Sequence, residues 1–218
     1  LLGAVENNLL NLVKSYSIFL NGGYIVEPSI IKKVVSNEGE LIINNDYFKC
    51  KYCSFSTDDR SYRIPIIESQ KQTSFQILNI LEGAIESGTG KSLNKINYPI
   101  AGKTGTTNES KDLWFFGLTP RYVIGVYVGY DTPRSIGYRE TGSSVAWPIF
   151  KTIIENYLLI HNDKNDKFLV PSDLIAKKIN KDSGEISDGQ NSIIDYFTKD
   201  QLEILDNKNK VESIGGIN

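Results

Sequence analysis

The sequence predicts an α+β fold, an antiparallel sheet flanked by helices. Three observations predict it: two segments with helical apolar spacing in the first half, three strand-like segments in tandem after them, and a further amphipathic segment directly following the strands. Connections as short as "NESK" and "TPR" force neighbouring strands to run antiparallel. A helix with one apolar stripe needs a sheet or another helix to bury it against.

Each element follows from its own pattern. Residues 4–21 carry Val5, Leu9, Leu12, Val13, Tyr16, Phe19 and Leu20 on one helical face, and Gly22-Gly23 supplies the stop. "YIVEPSIIKKVVSNEGELIINN" reads as extended segments about a turn at Asn37-Glu38-Gly39. Residues 46–70 are polar and aperiodic and are predicted as a loop. Helical spacing returns over 72–87 through Phe75, Leu78, Leu81 and Ile85, with Gly88 as the stop. Residues 98–106, 112–118 and 122–130 are the three strands. A helix over 144–160 places Ala146, Phe150, Ile153, Ile154, Tyr157 and Leu158 in one stripe and tolerates Pro148 near its start. From 162 to 218 there are 19 charges and three aromatics, too poor a core for a packed unit, so the chain is divided into a folded domain over 1–161 and a charged linker or tail over 162–218.

Composition excludes several classes. With a net charge of -2 the chain lacks the basic excess of a nucleic-acid binder. No apolar run approaches the roughly 20 residues that cross a bilayer. There is no methionine, so the chain is expected to be part of something longer, whose anchor or leader lies elsewhere. Cys50 and Cys53 stand in Cys-Lys-Tyr-Cys, and the single histidine is His161. Zinc sites want four ligands, and a thioredoxin-like pair sits where a strand enters a helix. This pair lies in a polar loop, which points to a local disulfide or two idle thiols, and neither metal nor cofactor is expected.

"AGKTGTT", residues 101–107, carries the chemistry. Its Gly-Lys-Thr resembles the end of a phosphate-binding loop, which requires a glycine five positions before the second glycine. That position is Asn97 here, and Ile85 for the nearby "GTGKS". Such a loop must also open a helix so that backbone N–H groups meet the phosphate, whereas Lys103 lies in a predicted strand. Read as Lys-Thr-Gly on a strand beside a cleft, the same residues suit acyl transfer. Side chains alternate, so Lys103 faces one way and Thr104 and Thr106 the other. Gly102 and Gly105 let another backbone come close, and an extended peptide can pair along such an edge. The Lys103 ammonium can stabilise an anion or help move a proton, and the Thr104 and Thr106 hydroxyls can hold a carboxylate. A backbone N–H here can act as an oxyanion donor, worth about 3–4 kcal/mol in serine hydrolases. On its own the triplet is equally a strand end with an exposed lysine.

The surroundings carry a resemblance. "GTGKSLNKINYPIAGKTGTTNESKDLWFFGLTPRYVIGVYVGYD" is similar over its whole length to class A penicillin-binding proteins, cell-wall synthases with a glycosyltransferase and a transpeptidase domain. The marks are Gly88-Thr89-Gly90, Gly102 to Thr107, Asp112 to Gly117, Thr119-Pro120 and Val128 to Asp131, followed by Thr141-Gly142 and Ala146-Trp147-Pro148. The resemblance covers roughly residues 1–198 and is most specific over 88–131. It implies the C-terminal portion of a transpeptidase domain, with the fold of penicillin-recognising serine enzymes (β-lactamase/transpeptidase-like) incomplete at the N-terminus. It also implies a serine in Ser-x-x-Lys that attacks the penultimate D-Ala of a stem peptide, and β-lactams as inhibitors that mimic the D-Ala-D-Ala end. On matching positions Lys103, Thr104, Gly105 and Thr106 are catalytic, and Thr104, Thr106 and Thr107 bind substrate. The parent is expected at the periplasmic face of the bacterial inner membrane, held by an anchor outside this chain.

The one Ser-x-x-Lys present is Ser92-Leu93-Asn94-Lys95, and Ser92-Leu93-Asn94 also mimics the second motif. One serine cannot serve both roles. A nucleophile needs its lysine one helical turn away, and Pro99 with the following strand leaves no room for that helix. The nucleophile is therefore expected upstream of Leu1. Two other readings share the motif: a non-catalytic wall-peptide-binding or scaffolding remnant of a split gene, and a fragment of a β-lactamase or D,D-carboxypeptidase. The last leaves the segment after 162 without a counterpart.

Overall fold

Helix α1 (Leu9–Leu20) starts where a side chain can close it: Asn8 Oδ1 accepts the Asn11 N–H at 2.8 Å. It ends where the chain turns left-handed at Gly22 and Gly23, with φ of 63° and 92°. The computed structural model describes residues 7–26, 28–44, 63–65, 70–86, 96, 98–158 and 166–205. Cys50, Cys53, Gly88, Ser92, Lys95 and His161 lie outside the described residues, as does the division expected at 161.

Strand β1 (Tyr24–Val26) pairs antiparallel with β4 (Arg63–Pro65). Residues 46–70 were predicted as loop, and β4 corrects part of that. Three residues are too few to show a period, and the strand exists because β1 offers it a partner. β2 (Lys33–Val35) and β3 (Leu41–Asn44) form the predicted hairpin, with Gly39 at φ 86° in its turn. α2 (Gln70–Glu86) follows, and its apolar stripe Phe75, Leu78 and Ile85 is buried as the spacing predicts.

The central sheet has the order β5-β6-β7, antiparallel throughout, from β5 (Ala101–Thr106), β6 (Asp112–Leu118) and β7 (Val123–Gly129). Alternation gives it two apolar faces, as the burial of β6 shows. On one face Phe115, Val126 and Ile100 meet Trp147, Phe150 and Ile154. On the other, Ala101 and Leu118 join Phe75 and Leu78 of α2, with Tyr16, Phe19 and Leu20 of α1 packed against them. Tyr16 stacks on Phe116 with ring centroids 4.6 Å apart.

The helix expected over 144–160 is α-helical only over α3 (Trp147–Ile153), between wider π-helical turns at Gly142–Ala146 and Ile154–Leu158. Pro148 has no N–H to continue the ladder, which accounts for the irregular start. Thr141 closes that start with reciprocal bonds: its Oγ1 accepts the Ser144 N–H at 3.2 Å and its own N–H donates to Ser144 Oγ at 2.9 Å.

Residues 162–218, expected as a charged linker or tail, contain a hairpin of β8 (Ile175–Asn180) and β9 (Ser192–Phe197) and a short helix over 199–205. This hairpin docks on α2. Gln76 Nε2 donates to the Tyr196 carbonyl at 2.7 Å, Asn79 Nδ2 donates to Asp195 Oδ1 at 3.0 Å, and the Phe75 and Tyr196 rings meet edge to face at 5.0 Å. Lys177 and Lys178 take exposed positions of β8, while Asp195 of β9 is half-buried against α2. The few apolar residues suffice because α2 provides the surface they bury against.

Candidate active site

β5 is an outer strand of the three-stranded sheet, so one side of its backbone has no strand neighbour among the described residues. Its first residues are closed in. Ala101 is fully buried, and a Cβ on Gly102 would stand 3.3 Å from Ile85 Cδ1 of α2. Lys103, Thr106 and Thr107 are exposed, with Thr104 and Gly105 half-buried between them. The opening of the edge therefore coincides with the Lys-Thr-Gly residues.

Registry places Lys103 opposite Phe116, on the α1 face of the sheet, and Thr104 and Thr106 opposite Phe115 and Leu113, on the α3 face. The predicted alternation is thus seen. The Lys103 Nζ donates to the Thr104 carbonyl at 2.8 Å and makes no ion pair among the described residues. Thr106 lies against the start of the α3 segment: its Oγ1 accepts the Gly142 N–H at 3.1 Å. A hydroxyl that accepts there keeps its own proton for a further acceptor. The contact is close because position 142 has no side chain. A Cβ on it would lie 2.2 Å from the Trp114 carbonyl oxygen and 2.8 Å from that of Gly105.

The Thr107 hydroxyl is engaged inside the protein. Its Oγ1 accepts the Asp112 N–H at 2.8 Å and lies 3.2 Å from Asp112 Oδ2, to which it donates. Tyr127 donates its phenol to the other carboxylate oxygen at 2.9 Å, which with partial burial pushes its pKa up. Asp112 thereby ties the end of β5 to β6 and β7 across a turn in which Glu109 and Ser110 adopt φ of 60° and 53°. Sequence reasoning marked Asp112 as part of a motif and assigned it no role.

It also missed a second clasp, behind the strand. Asp166 receives Arg121 in two parallel bonds, Nε at 2.6 Å and Nη2 at 2.8 Å, and the Tyr98 phenol at 2.9 Å. The guanidinium holds the Asp166 carboxyl below the usual carboxylate range. Burial, with the bond to Asp166, pushes the Tyr98 phenol up to about 12. Three segments meet here: the lead into β5, the β6–β7 turn and the chain after α3. Asp166 lies in a run of polar residues with no periodicity, so nothing in the sequence singled it out.

A small cavity of about 40 Å³ adjoins Tyr98 and is lined by Glu82, Ile85, Glu86, Ile96, Pro99 and Ile100. Burial, and the nearby Glu86, raise Glu82 to about 7. The cavity lies behind the buried start of β5, away from the open edge. Among the described residues no group of three or more His, Cys, Asp and Glu is placed to hold a metal ion.

A family model described as the penicillin-binding protein transpeptidase domain matches residues 2–155. The chain belongs to that family. The resemblance read from "AGKTGTT" and its surroundings is borne out, and so is the α+β fold. Among curated relatives, penicillin-binding protein 1A of Rickettsia conorii is 35% identical over 97% of this chain, and that of Aquifex aeolicus is 32% identical over 82%. The chain spans only 27% and 22% of those proteins. The crystal structure of penicillin-binding protein 1A from Haemophilus influenzae superposes with a TM-score of 0.69, covering 91% of this chain and 33% of that one at 24% identity. PonA1 of Mycobacterium tuberculosis in complex with penicillin V superposes with a TM-score of 0.55 over 78% of this chain and 43% of that one, also at 24% identity. At those identities the likeness shows the fold. Family membership places this chain among the transpeptidase domains of penicillin-binding proteins.

Proposed function

We propose that this chain supplies the Lys-Thr-Gly edge of a serine D,D-transpeptidase whose nucleophile stands on an upstream part of a longer protein. The observation that carries the reading is the opening of β5 at Lys103, with Thr106 framed by Gly142. A stem peptide pairs along this edge with its terminal carboxylate at the Thr104 and Thr106 hydroxyls. The serine oxygen attacks the penultimate D-Ala carbonyl and passes its proton to the lysine of its own upstream Ser-x-x-Lys, which later returns it to the leaving amine, and the Thr106 backbone N–H faces the oxyanion that forms. The Lys103 ammonium lowers the cost of that charge. The C–N bond then breaks and the terminal D-Ala leaves as an amine after taking a proton. An amine of a second peptide attacks the ester, restores the serine and completes the cross-link. A β-lactam enters by the same route, but its leaving amine stays tethered and the serine remains acylated. Thr107 acts through the turn it closes with Asp112. In this reading the whole protein stands at the periplasmic face of the inner membrane and carries a glycosyltransferase domain.

Intact-protein mass spectrometry with labelled penicillin tests the proposal. The full-length protein gains one penicillin, while the isolated 218 residues and their Ser92→Ala variant gain none. Binding of stem peptide by a full-length protein that is never acylated would replace the enzyme with a non-catalytic wall-peptide binder. An adduct on the isolated chain that is lost in Ser92→Ala would make Ser92 the nucleophile.

A further inference from the structure

The loop from Tyr130 to Thr141 lies at the open end of β5. Its middle is pinned to the β5–β6 turn by the Ile136 N–H, which donates to the Ser110 carbonyl at 2.9 Å. Its end is pinned to β5 by the bond from Gly142 to Thr106. It presents two guanidinium groups on tyrosine faces, one before the Ile136 pin and one between the two pins. Arg134 sits 3.9 Å from the centroid of Tyr130, and Arg139 sits 5.1 Å from that of Tyr138, which is 86% exposed. Both arginines are exposed, and neither has an ion-pair partner among the described residues. Glu140, the acid next to Arg139 in sequence, is engaged by the Ser144 hydroxyl. Arg139 is held at φ 60°, a conformation that a long side chain rarely adopts unless its surroundings impose it.

A guanidinium stacked on a ring keeps its in-plane N–H groups free, and that planar fork matches a carboxylate. The direction of the bound peptide says which carboxylate it meets. With the terminal carboxylate at Thr104 and Thr106, the peptide cannot follow β5 back past Gly102, because Ile100, Ala101 and Gly102 are buried under α2 and its neighbours. It must leave past Thr107, toward this loop.

We propose that the loop 130–141 is a specificity subsite for the upstream residues of the donor peptide, and that Arg134 and Arg139 recognise a free carboxylate there, several bonds before the scissile D-Ala-D-Ala end. The inference rests on the transpeptidase reading above. It adds a preference for acidic over neutral peptides that the Lys-Thr-Gly edge alone does not confer.

The test is competition in the full-length protein, where peptides slow acylation by labelled penicillin. Two peptides are compared, identical except that the upstream carboxylate of one is amidated. The acidic peptide should compete roughly tenfold better than the amidated one, as expected for one charge-assisted bidentate contact. Arg134→Ala with Arg139→Ala should abolish that ratio and leave the acylation rate without peptide unchanged, since both side chains are exposed and lie outside the Lys-Thr-Gly edge. A ratio near one in the wild type, no competition by either peptide, or an unchanged ratio in the double variant overturns the subsite. Failure of penicillin to acylate the wild-type protein would instead sink the transpeptidase reading, so the two failures are distinct.

Discussion

Gly142 and Thr106 are in direct contact: the backbone N–H of one donates to the hydroxyl of the other at 3.1 Å, across 36 residues of chain. This bond locks the entry to the α3 segment onto the last residue of the Lys-Thr-Gly strand. What α3 packs against, and where Thr106 points, are thus set together.

Gly142→Ala should break that lock. The new methyl would meet two backbone carbonyl oxygens, those of Trp114 and Gly105, and neither can swing away as a side chain could. Overpacking of this kind costs about 1–3 kcal/mol. Thermal melting should show the loss of stability, and penicillin acylation of the full-length protein should slow more than the melting shift explains. A variant with wild-type melting and acylation would show that the contact has no role.

Lys103→Ala should separate stability from chemistry. The side chain is exposed and bonds only to the neighbouring carbonyl, so its loss should cost under about 0.5 kcal/mol. The acylation rate should fall steeply if the ammonium stabilises developing charge. Equal acylation rates for variant and wild type would remove Lys103 from the mechanism.

Arg121 and Asp166 should behave as one unit. Asp166→Asn leaves the guanidinium without its anion and weakens the acceptor of the buried Tyr98 phenol. Arg121→Ala leaves the carboxylate with Tyr98 alone. Melting of both single variants and the double should show non-additive losses, the double costing less than the sum. Strict additivity would mean that the pair is not coupled. Because the Asp166 pKa is lowered by folding, its contribution is present above the unfolded carboxylate range and is lost as pH falls through the folded value.

Glu82 should act in the opposite direction. Its pKa is raised from 4.5 to about 7, first by burial and then by Glu86. The folded protein therefore holds this proton more tightly than the unfolded chain, and stability falls as pH rises from about 4.5 to about 7. Glu82→Gln should raise the melting temperature at pH 8 more than at pH 5. An equal shift at both values would show that Glu82 titrates normally.

Much of this architecture is legible along the chain. The three strands, the stripe of α2 and the turn at Gly39 depend on near neighbours, and periodicity and glycine placement report them directly. The Lys-Thr-Gly residues are legible because acyl transfer needs particular groups at particular spacings on a strand. β4 and the docked β8–β9 hairpin are not, because each is stabilised by a surface far away in sequence. The hairpin's apolar residues are too few for a core of their own, and only the exposed flank of α2 makes them sufficient.

The sequence by itself determined which side chains alternate across β5 and which family chemistry they serve, because a strand's two-residue period and a motif's order are properties of the chain alone. Only the tertiary structure decided where that strand opens to solvent, and that Gly142 seats Thr106, Asp112 occupies Thr107 and Asp166 clamps the lead into β5. These are distances between segments that meet through folding, and local spacing carries no record of them.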